Sequence, residues 1–341
     1  MGVDISDIVV KHETKLSNFS GSLVSVDAFN VIYQFLSSIR QNDGSPLTDL
    51  NGNVTSHLSG IFYRTISLMN EGIKPIYVFD GKPSALKQKT ISERRLLKEK
   101  AKINLEDAIE KGDVEKIASL RRSINYITLE IVDECKTLLG FMGIPFVQAI
   151  SEGEAQASYM SATNIVQGVI SQDYDCLLFG ARRVLRNFTL YGRRRISSRN
   201  IYVSVNPEYM DLEETLNSLQ ISRAKLIDIA ILTGTDFNEG LPRVGARTAL
   251  SLIRKNGSLE NVLKVKNETI PNLDEIRELF LHPPAVEKVD INFKEPDKEN
   301  VMKFLCDSHS FSPERISKSL DDLQLQYNRG RQANLDTFFS K

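Results

Sequence analysis

Tryptophan is absent from the 341 residues, histidine occurs four times and cysteine three times. Cys135, Cys176 and Cys306 are odd in number, far apart and outside any CxxC, which excludes a disulfide framework and a Cys/His zinc site and points to a reducing intracellular compartment. Long apolar runs are lacking as well. No stretch approaches the ~18 residues of a membrane span. The opening MGVDISDIVV carries Asp4 and Asp7 where a signal peptide needs an apolar core. MGVDIS formally fits a myristoylation pattern, but a match that short carries little weight. Internal repeats and low-complexity segments are missing, and neither sign of charge dominates, with 43 Lys+Arg against 44 Asp+Glu.

That balance hides a segregation. Residues 87–102 hold Lys87, Lys89, Arg94, Arg95, Lys98, Lys100 and Lys102 against only Glu93 and Glu99, and residues 181–199 hold seven arginines and no acid. A near-neutral chain so arranged can bind a polyanion locally while concentrating carboxylates elsewhere. Either stretch taken singly reads better as a solvated helix face.

Strand-like runs occur at 23–29 (LVSVDAF), 76–81 (IYVFDG), 144–150 (IPFVQAI), 168–171 (GVIS) and 201–205 (IYVSV). Helical patterns lie between them, such as Ile124, Ile127, Ile131, Cys135 and Leu138 at three- and four-residue spacing. Strands alternating with helices predict an α/β fold, a mostly parallel central sheet flanked by helices. Residues 82–122 are charged without a continuous apolar stripe and are expected to project from the core. Beyond about residue 210 the pattern is helical, broken by the loop GTDFNEGLPRVGARTAL.

Acids recur at the ends of the apolar runs. Asp27 closes the first and Asp80 the second, Glu152 and Glu154 follow the third, Asp173 and Asp175 the fourth, and Asp236 lies in the loop after SRAKLIDIAILTG. Side chains two apart on a strand point the same way, so Asp173 and Asp175 are expected to leave its end together. The carboxyl ends of strands in open α/β sheets form the ligand crevice, where these acids can converge. Each has a plainer reading: Asp80-Gly81 suits a turn, and Ser151 with Glu154 has capping-box spacing, at least as good an account of Glu154 as catalysis. The recurrence at four strand ends favours convergence. Converged carboxylates repel unless cations neutralise them. With no His or Cys among them the donors are all oxygen, which selects magnesium, or manganese, over zinc. Such a set suits two ions about 4 Å apart, one activating water and one stabilising a leaving oxygen of a phosphodiester.

The order and spacing of MGVD, VDAFNVIYQFL, TSHLSGIFYRT, GIKPIYVFDGKP, MGIPFVQAISEGEAQAS, SQDYDCLLFG and ILTGTDFNEG resemble the flap endonuclease family of structure-specific 5′ nucleases over essentially the whole chain. The resemblance implies a first metal cluster of Asp27, Asp80, Glu152 and Glu154 and a second of Asp173, Asp175 and Asp236. It implies cutting of 5′ flaps at a junction during replication (Okazaki fragment maturation) and repair, with 5′–3′ exonuclease activity. Lys87 and Arg94 fall where the family keeps two cations above the metals; seven residues apart on a helix, they share a face. Tyr33 matches an aromatic on which a base pair stacks, against a plain reading as core. Gly2 matches the small residue at the amino-terminal segment. Arg40, Thr55, Arg64, Arg243, Gly245, Arg247 and Phe311 are assigned to DNA contacts. Residues 82–130 correspond to the helical arch, and 236–248 to a helix–two-turn–helix that grips duplex, often with K+. The implied organisation is one nuclease domain, 1–327 (amino-terminal part about 1–105, internal part about 122–260, then a helical region), and a flexible tail, 328–341.

Two departures matter. The hairpin reads Arg243-Val244-Gly245 where the family has glycine first, and arginine does not easily take a positive φ, so an altered turn or K+ site is expected. His309-Ser310 replace a basic and an amide residue before Phe311 in the pocket for a one-nucleotide 3′ flap. In the tail, Gln332, Leu335, Phe338 and Phe339 fit a QxxLxxFF box for a sliding clamp (PCNA). The expected partners are thus branched DNA and the clamp, with no membrane. The expected state is a monomer in an archaeal cytoplasm beside the nucleoid, or in a nucleus for a eukaryotic relative lacking its basic tail. Two rivals weigh less. A haloacid-dehalogenase-like phosphatase needs DxDx[TV] where this chain has DYDCL, and a non-catalytic clamp-bound junction protein has no need of seven acids.

Overall fold

The computed structural model describes every residue except 1, 42–43, 114–115, 118–119, 121–126, 190–191, 197–200 and 340–341, and describes the backbone alone for 192–196, 201–204 and 330–339. Its centre is a seven-stranded sheet in the order β1-β9-β6-β5-β2-β3-β4. The strands are β1 (His12–Glu13), β2 (Leu23–Asp27), β3 (Lys74–Phe79), β4 (Phe146–Gln148), β5 (Gly168–Ile170), β6 (Arg183–Arg186) and β9 (Glu208–Asp211). The five strands from β4 to β6 run parallel, and β9 and β1 add antiparallel at one edge. This is the predicted α/β architecture.

Alternation along the strands divides the core in two, because successive side chains face opposite sides of a sheet. Ile76, Val78, Val169 and Val184 enter one apolar cluster together with the helix Arg223–Thr233. Tyr77, Phe79, Ile170 and Leu185 enter the other, with helices α1 (Ala28–Ser38) and α2 (Ser56–Asn70). All eight of these strand residues are buried. A sheet covered on both faces needs continuous apolar strands, which is why β3 reads as an unbroken run from Pro75 to Phe79 and β2 is interrupted only by the small buried Ser25.

Four expectations change. Residues 201–205 form β8 but stay out of the central sheet, pairing with β7 (Gly192–Ile196) in a separate antiparallel hairpin. The strand that does extend the sheet, β6, sits inside the arginine-rich stretch: Arg183 and Arg186 flank the buried Val184–Leu185, so one charge run is partly a core strand. The helix expected from residue 124 is described as Leu129–Phe141, capped by Thr128, whose hydroxyl accepts from the Ile131 N–H; residues 124–126 lie outside the described residues. Arg243 does adopt a left-handed φ of 61°, so the hairpin turn is kept in the conformation that would ordinarily call for glycine.

Of the projecting segment, α3 (Gln88–Glu110) is described, with Ala108 its only buried residue, and much of 114–126 lies outside the described residues. The last helix has a backbone running Pro313–Phe339. The clamp-box side chains Gln332, Leu335, Phe338 and Phe339 lie outside the described residues.

Candidate active site

The chain proceeds β2, β3, β4 to one side of β2 and then places β5 on its other side. This reversal makes a crevice at the carboxyl ends of β2 and β5, the place where open α/β sheets bind ligands. Val26 pairs with Ile170, so the next residues, Asp27 and Ser171, are neighbours, and the Ser171 hydroxyl donates to Asp27 Oδ2 at 3.1 Å. Asp27 also caps α1, its Oδ1 accepting the Asn30 N–H at 3.1 Å. A carboxylate there meets the positive end of the helix dipole.

The other acids arrive from separate elements. Asp80 follows β3, and its Oδ1 accepts the Gly153 N–H at 2.7 Å. Glu152 is the N-cap of the helix Gly153–Ala162 but makes no side-chain cap bond, and Glu154 lies in the first turn. The capping box with Ser151 therefore does not form, because the cap falls one residue later. Asp173 and Asp175 leave β5 through a turn, since the strand ends at Ile170 and Asp175 opens the short helix Asp175–Leu178. They still sit close enough for the charge of Asp173 to act on Asp175. The amino-terminal segment packs beneath them, with the Val3 N–H donating to Asp175 Oδ1 at 2.7 Å. A Cβ on Gly2 would stand 2.6 Å from that oxygen, so only glycine permits the approach.

Asp27, Glu154 and Asp173 each offer an oxygen within 4.8 Å of the others, a group able to hold a metal ion. Burial pushes the Asp27 carboxyl up to about 7, helped by Asp80 and Asp173. Burial, with Asp173 and Asp236 adding, takes Asp175 to about 7. Burial takes Asp80 to about 6 and lifts Glu154 well above the usual range, with Glu152 and Asp175 respectively adding to the effect. Asp175 Oδ2 is buried without a hydrogen-bond partner. Crowded carboxylates whose ionised form is costly without a counter-charge, an orphaned oxygen and an all-oxygen donor set together fit a hard divalent cation.

Two cations reach the acids from the base of α3. Lys87 Nζ lies 2.6 Å from Glu152 and 3.2 Å from Asp236, and Arg94 Nη2 lies 2.5 Å from the other Asp236 oxygen. Burial works against the charge of Lys87, but Glu154, Glu152 and Asp236 outweigh it and hold the ammonium above its ordinary range. Thr90, between them, donates its hydroxyl to the Asp236 carbonyl at 2.7 Å. Sequence reading missed Thr90 and also Asn30, whose side-chain amide donates to Asp173; no sequence signal marks Thr90, and the position of Asn30 three residues after Asp27 reads as ordinary capping chemistry.

Tyr33 is 43% exposed on α1, so the core-packing alternative fails. Arg40 is tied into its own loop through the carbonyls of Ser37 and Gly44. Thr55 is buried at the start of α2, on which Arg64 also sits. Phe311 packs against the second core cluster, after Ser310 in a left-handed conformation. Arg243, Gly245 and Arg247 are exposed around the start of the helix Ala246–Asn256, with Arg247 3.5 Å from Asp7.

The carboxylate shifts have a sign. Asp27, Asp80, Glu154 and Asp175 hold protons in the folded state at pH values where the unfolded chain has lost them. Stability of the metal-free protein therefore falls as pH rises from about 4 to about 7. Melting in EDTA is expected at lower temperature near pH 8 than near pH 5, with magnesium restoring most of the difference at the higher pH. Melting temperatures in EDTA that rise across this interval would contradict the assignment.

Comparison with known proteins agrees with this geometry. The profile of the XPG N-terminal domain matches residues 1–101, which contain Asp27 and Asp80, and that of the XPG I-region matches residues 143–236, which contain the other five acids. The solved flap endonuclease-1 from Methanococcus jannaschii superposes with a TM-score of 0.78 at 42% identity, covering 96% of this chain and 100% of that one. The catalytic core of Rad2 in complex with DNA substrate shares the fold, with a TM-score of 0.72 at 24% identity over 95% of this chain and 100% of that one. The class is thus the XPG-type nucleases. Within it, Flap endonuclease 1 of Picrophilus torridus is 58% identical over 339 residues, 99% of this chain and 100% of the relative. Flap endonuclease 1 of Pyrococcus furiosus is 44% identical over the full length of both. The chain belongs to the flap endonuclease family.

Proposed function

We propose that the crevice between β2 and β5 binds two magnesium ions, with manganese as a substitute, and hydrolyses the phosphodiester at the base of a 5′ flap. The chain is a metal-dependent, structure-specific 5′ flap endonuclease of DNA replication and repair. The single observation that carries the chemistry is the Asp27, Glu154 and Asp173 group, with Asp80, Glu152, Asp175 and Asp236 around it. All seven acids are assigned as ligands, direct or through water. When bound, the ions supply a water activated at neutral pH and a counter-charge for the leaving oxygen.

The chain's own groups do the rest. Asp27, Glu154 and Asp175 have to lose their protons before cations bind, so activity rises with pH through the same interval. Lys87 and Arg94, whose present partners are Glu152 and Asp236, are the groups able to grip the scissile phosphate once metal takes over those carboxylates. Tyr33, exposed on α1, offers a stacking surface worth roughly 1–3 kcal/mol per base. Arg243, Gly245 and Arg247 surround a helix start whose free N–H groups favour backbone phosphates, and a potassium ion at this turn belongs to the same reading. Arg40, Thr55, Arg64 and Phe311 complete the duplex contacts. Exonuclease activity follows from the same chemistry at a 5′ end. A labelled 5′-flap duplex incubated with magnesium, then with EDTA, tests the reaction.

The tail carries the proposed clamp contact. Gln332, Leu335, Phe338 and Phe339 have the spacing of a box that presents an aliphatic and two aromatic side chains to a partner pocket. Changing Phe338 and Phe339 together to alanine is expected to abolish binding to the cognate clamp, each ring being worth roughly 2 kcal/mol or more. Clamp-free cutting and melting temperature stay near wild type. Titration calorimetry beside melting curves tests both halves, and a large fall in melting temperature would move the rings into the core.

A further inference from the structure

Asn30 touches both sides of the crevice. It sits in the first turn of α1, three residues after Asp27, and its backbone N–H donates to Asp27 Oδ1. Its side chain spans to the far strand end, where Nδ2 donates to Asp173 Oδ2 at 3.0 Å and Oδ1 accepts the Gln172 N–H at 3.2 Å. A backbone N–H can only donate, so the contact with Gln172 fixes which end of the amide carries oxygen. The amine end then has to face Asp173. From behind, Gln34 Nε2 donates to the same Oδ1 at 2.6 Å, and Gln34 Oε1 accepts from the buried Thr189 hydroxyl at 3.2 Å. The amide is therefore clamped on its oxygen side by two donors and cannot rotate without breaking both. Two further features of Asp173 make this clamp matter. Its carboxylate belongs to the three-acid group, and it is only partly buried on a turn rather than a strand, so its backbone alone leaves χ1 and χ2 free.

We infer that Asn30 is a positioning residue for the metal centre: its amide holds the Asp173 carboxylate in the rotamer that completes the site with Asp27 and Glu154. Oδ2 accepts from Asn30 at 3.0 Å, Oδ1 has only the long 3.5 Å approach of the Gly2 N–H, and one oxygen of this carboxylate lies within 4.8 Å of an oxygen of Asp27 and of Glu154. This inference rests on the metal assignment proposed above. Hydrogen-bond partners of ligating groups typically govern metal affinity by 10–100-fold, because an unheld ligand pays the ordering entropy on binding.

The test uses the full chain, with magnesium binding followed by calorimetry, melting in EDTA, and single-turnover flap cutting across a magnesium titration. Asn30→Ala is expected to weaken magnesium binding about 10-fold or more and to raise half-saturating magnesium for cutting to match. Cutting at saturating magnesium should return to near the wild-type rate, and melting in EDTA should change little. Asn30→Leu, which keeps bulk without a donor, has to reproduce the loss of affinity. Wild-type magnesium affinity in both variants would overturn the inference, whatever happened to stability. Asp173→Asn, run in parallel, separates the two readings. If it too binds magnesium as the wild type does, the metal assignment fails; if it alone loses binding, only the role of Asn30 fails.

Discussion

Asp27→Asn is expected to lower single-turnover cutting of a 5′-flap duplex by about 10³-fold or more, because losing one charged ligand of a two-metal site removes several kcal/mol of transition-state stabilisation. The residue stands at the centre of the crevice, buried against Ser171 and α1. The substitution is isosteric and relieves like-charge crowding, since burial and the neighbours Asp80 and Asp173 already disfavour its ionised form. Stability in EDTA should therefore hold or rise while activity collapses. Junction binding should persist, because phosphate contacts elsewhere are retained. Stopped or quenched single-turnover assays with melting curves distinguish this from misfolding. Unchanged turnover would remove Asp27 from the site.

Arg94→Ala should lower single-turnover cutting by about 10²–10³-fold, the scale for removal of one preorganised charge-stabilising donor. Arg94 on α3 and Lys87 just before it both pair with Asp236, so the two cations reach into the acidic crevice. Affinity for flap duplex, read by fluorescence anisotropy in calcium, should fall far less than the rate. A loss confined to affinity, with a normal single-turnover rate, would make Arg94 an ordinary phosphate clamp. Lys87 is the more buried of the pair, and its truncation takes the ion-pair partner from buried Glu152 while Asp236 keeps Arg94, so it carries a stability effect that Arg94→Ala does not.

The parts of this site legible from sequence are those with a repeated signal. Asp27 and Asp80 sit at the ends of apolar runs, and the buried parallel strands that end there are legible for the same reason. The acids after β4 and β5 were equally visible, but the geometry that presents them was not. Asp173 and Asp175 share a side of the crevice through a turn and a short helix, not through strand alternation. Glu152, not Ser151, occupies the cap position. β6 was hidden because its two core residues are flanked by arginines, so charge masked a strand of only four residues. Arg243 shows tertiary context overriding a local preference: the turn keeps a left-handed residue although arginine dislikes it. Asn30 was invisible because an amide in a helix's first turn reads as capping chemistry, and its second contact comes from a residue 143 positions away.

The measurement closest to the central claim is cutting of an end-labelled 5′-flap duplex by the full chain, first in EDTA and then after magnesium is added to the same reaction. No cleavage in EDTA, followed on magnesium addition by a cut at the base of the flap in the wild type but not in Asp27→Asn, is the predicted result. A cut of equal rate in EDTA, or one that survives in Asp27→Asn, would contradict it.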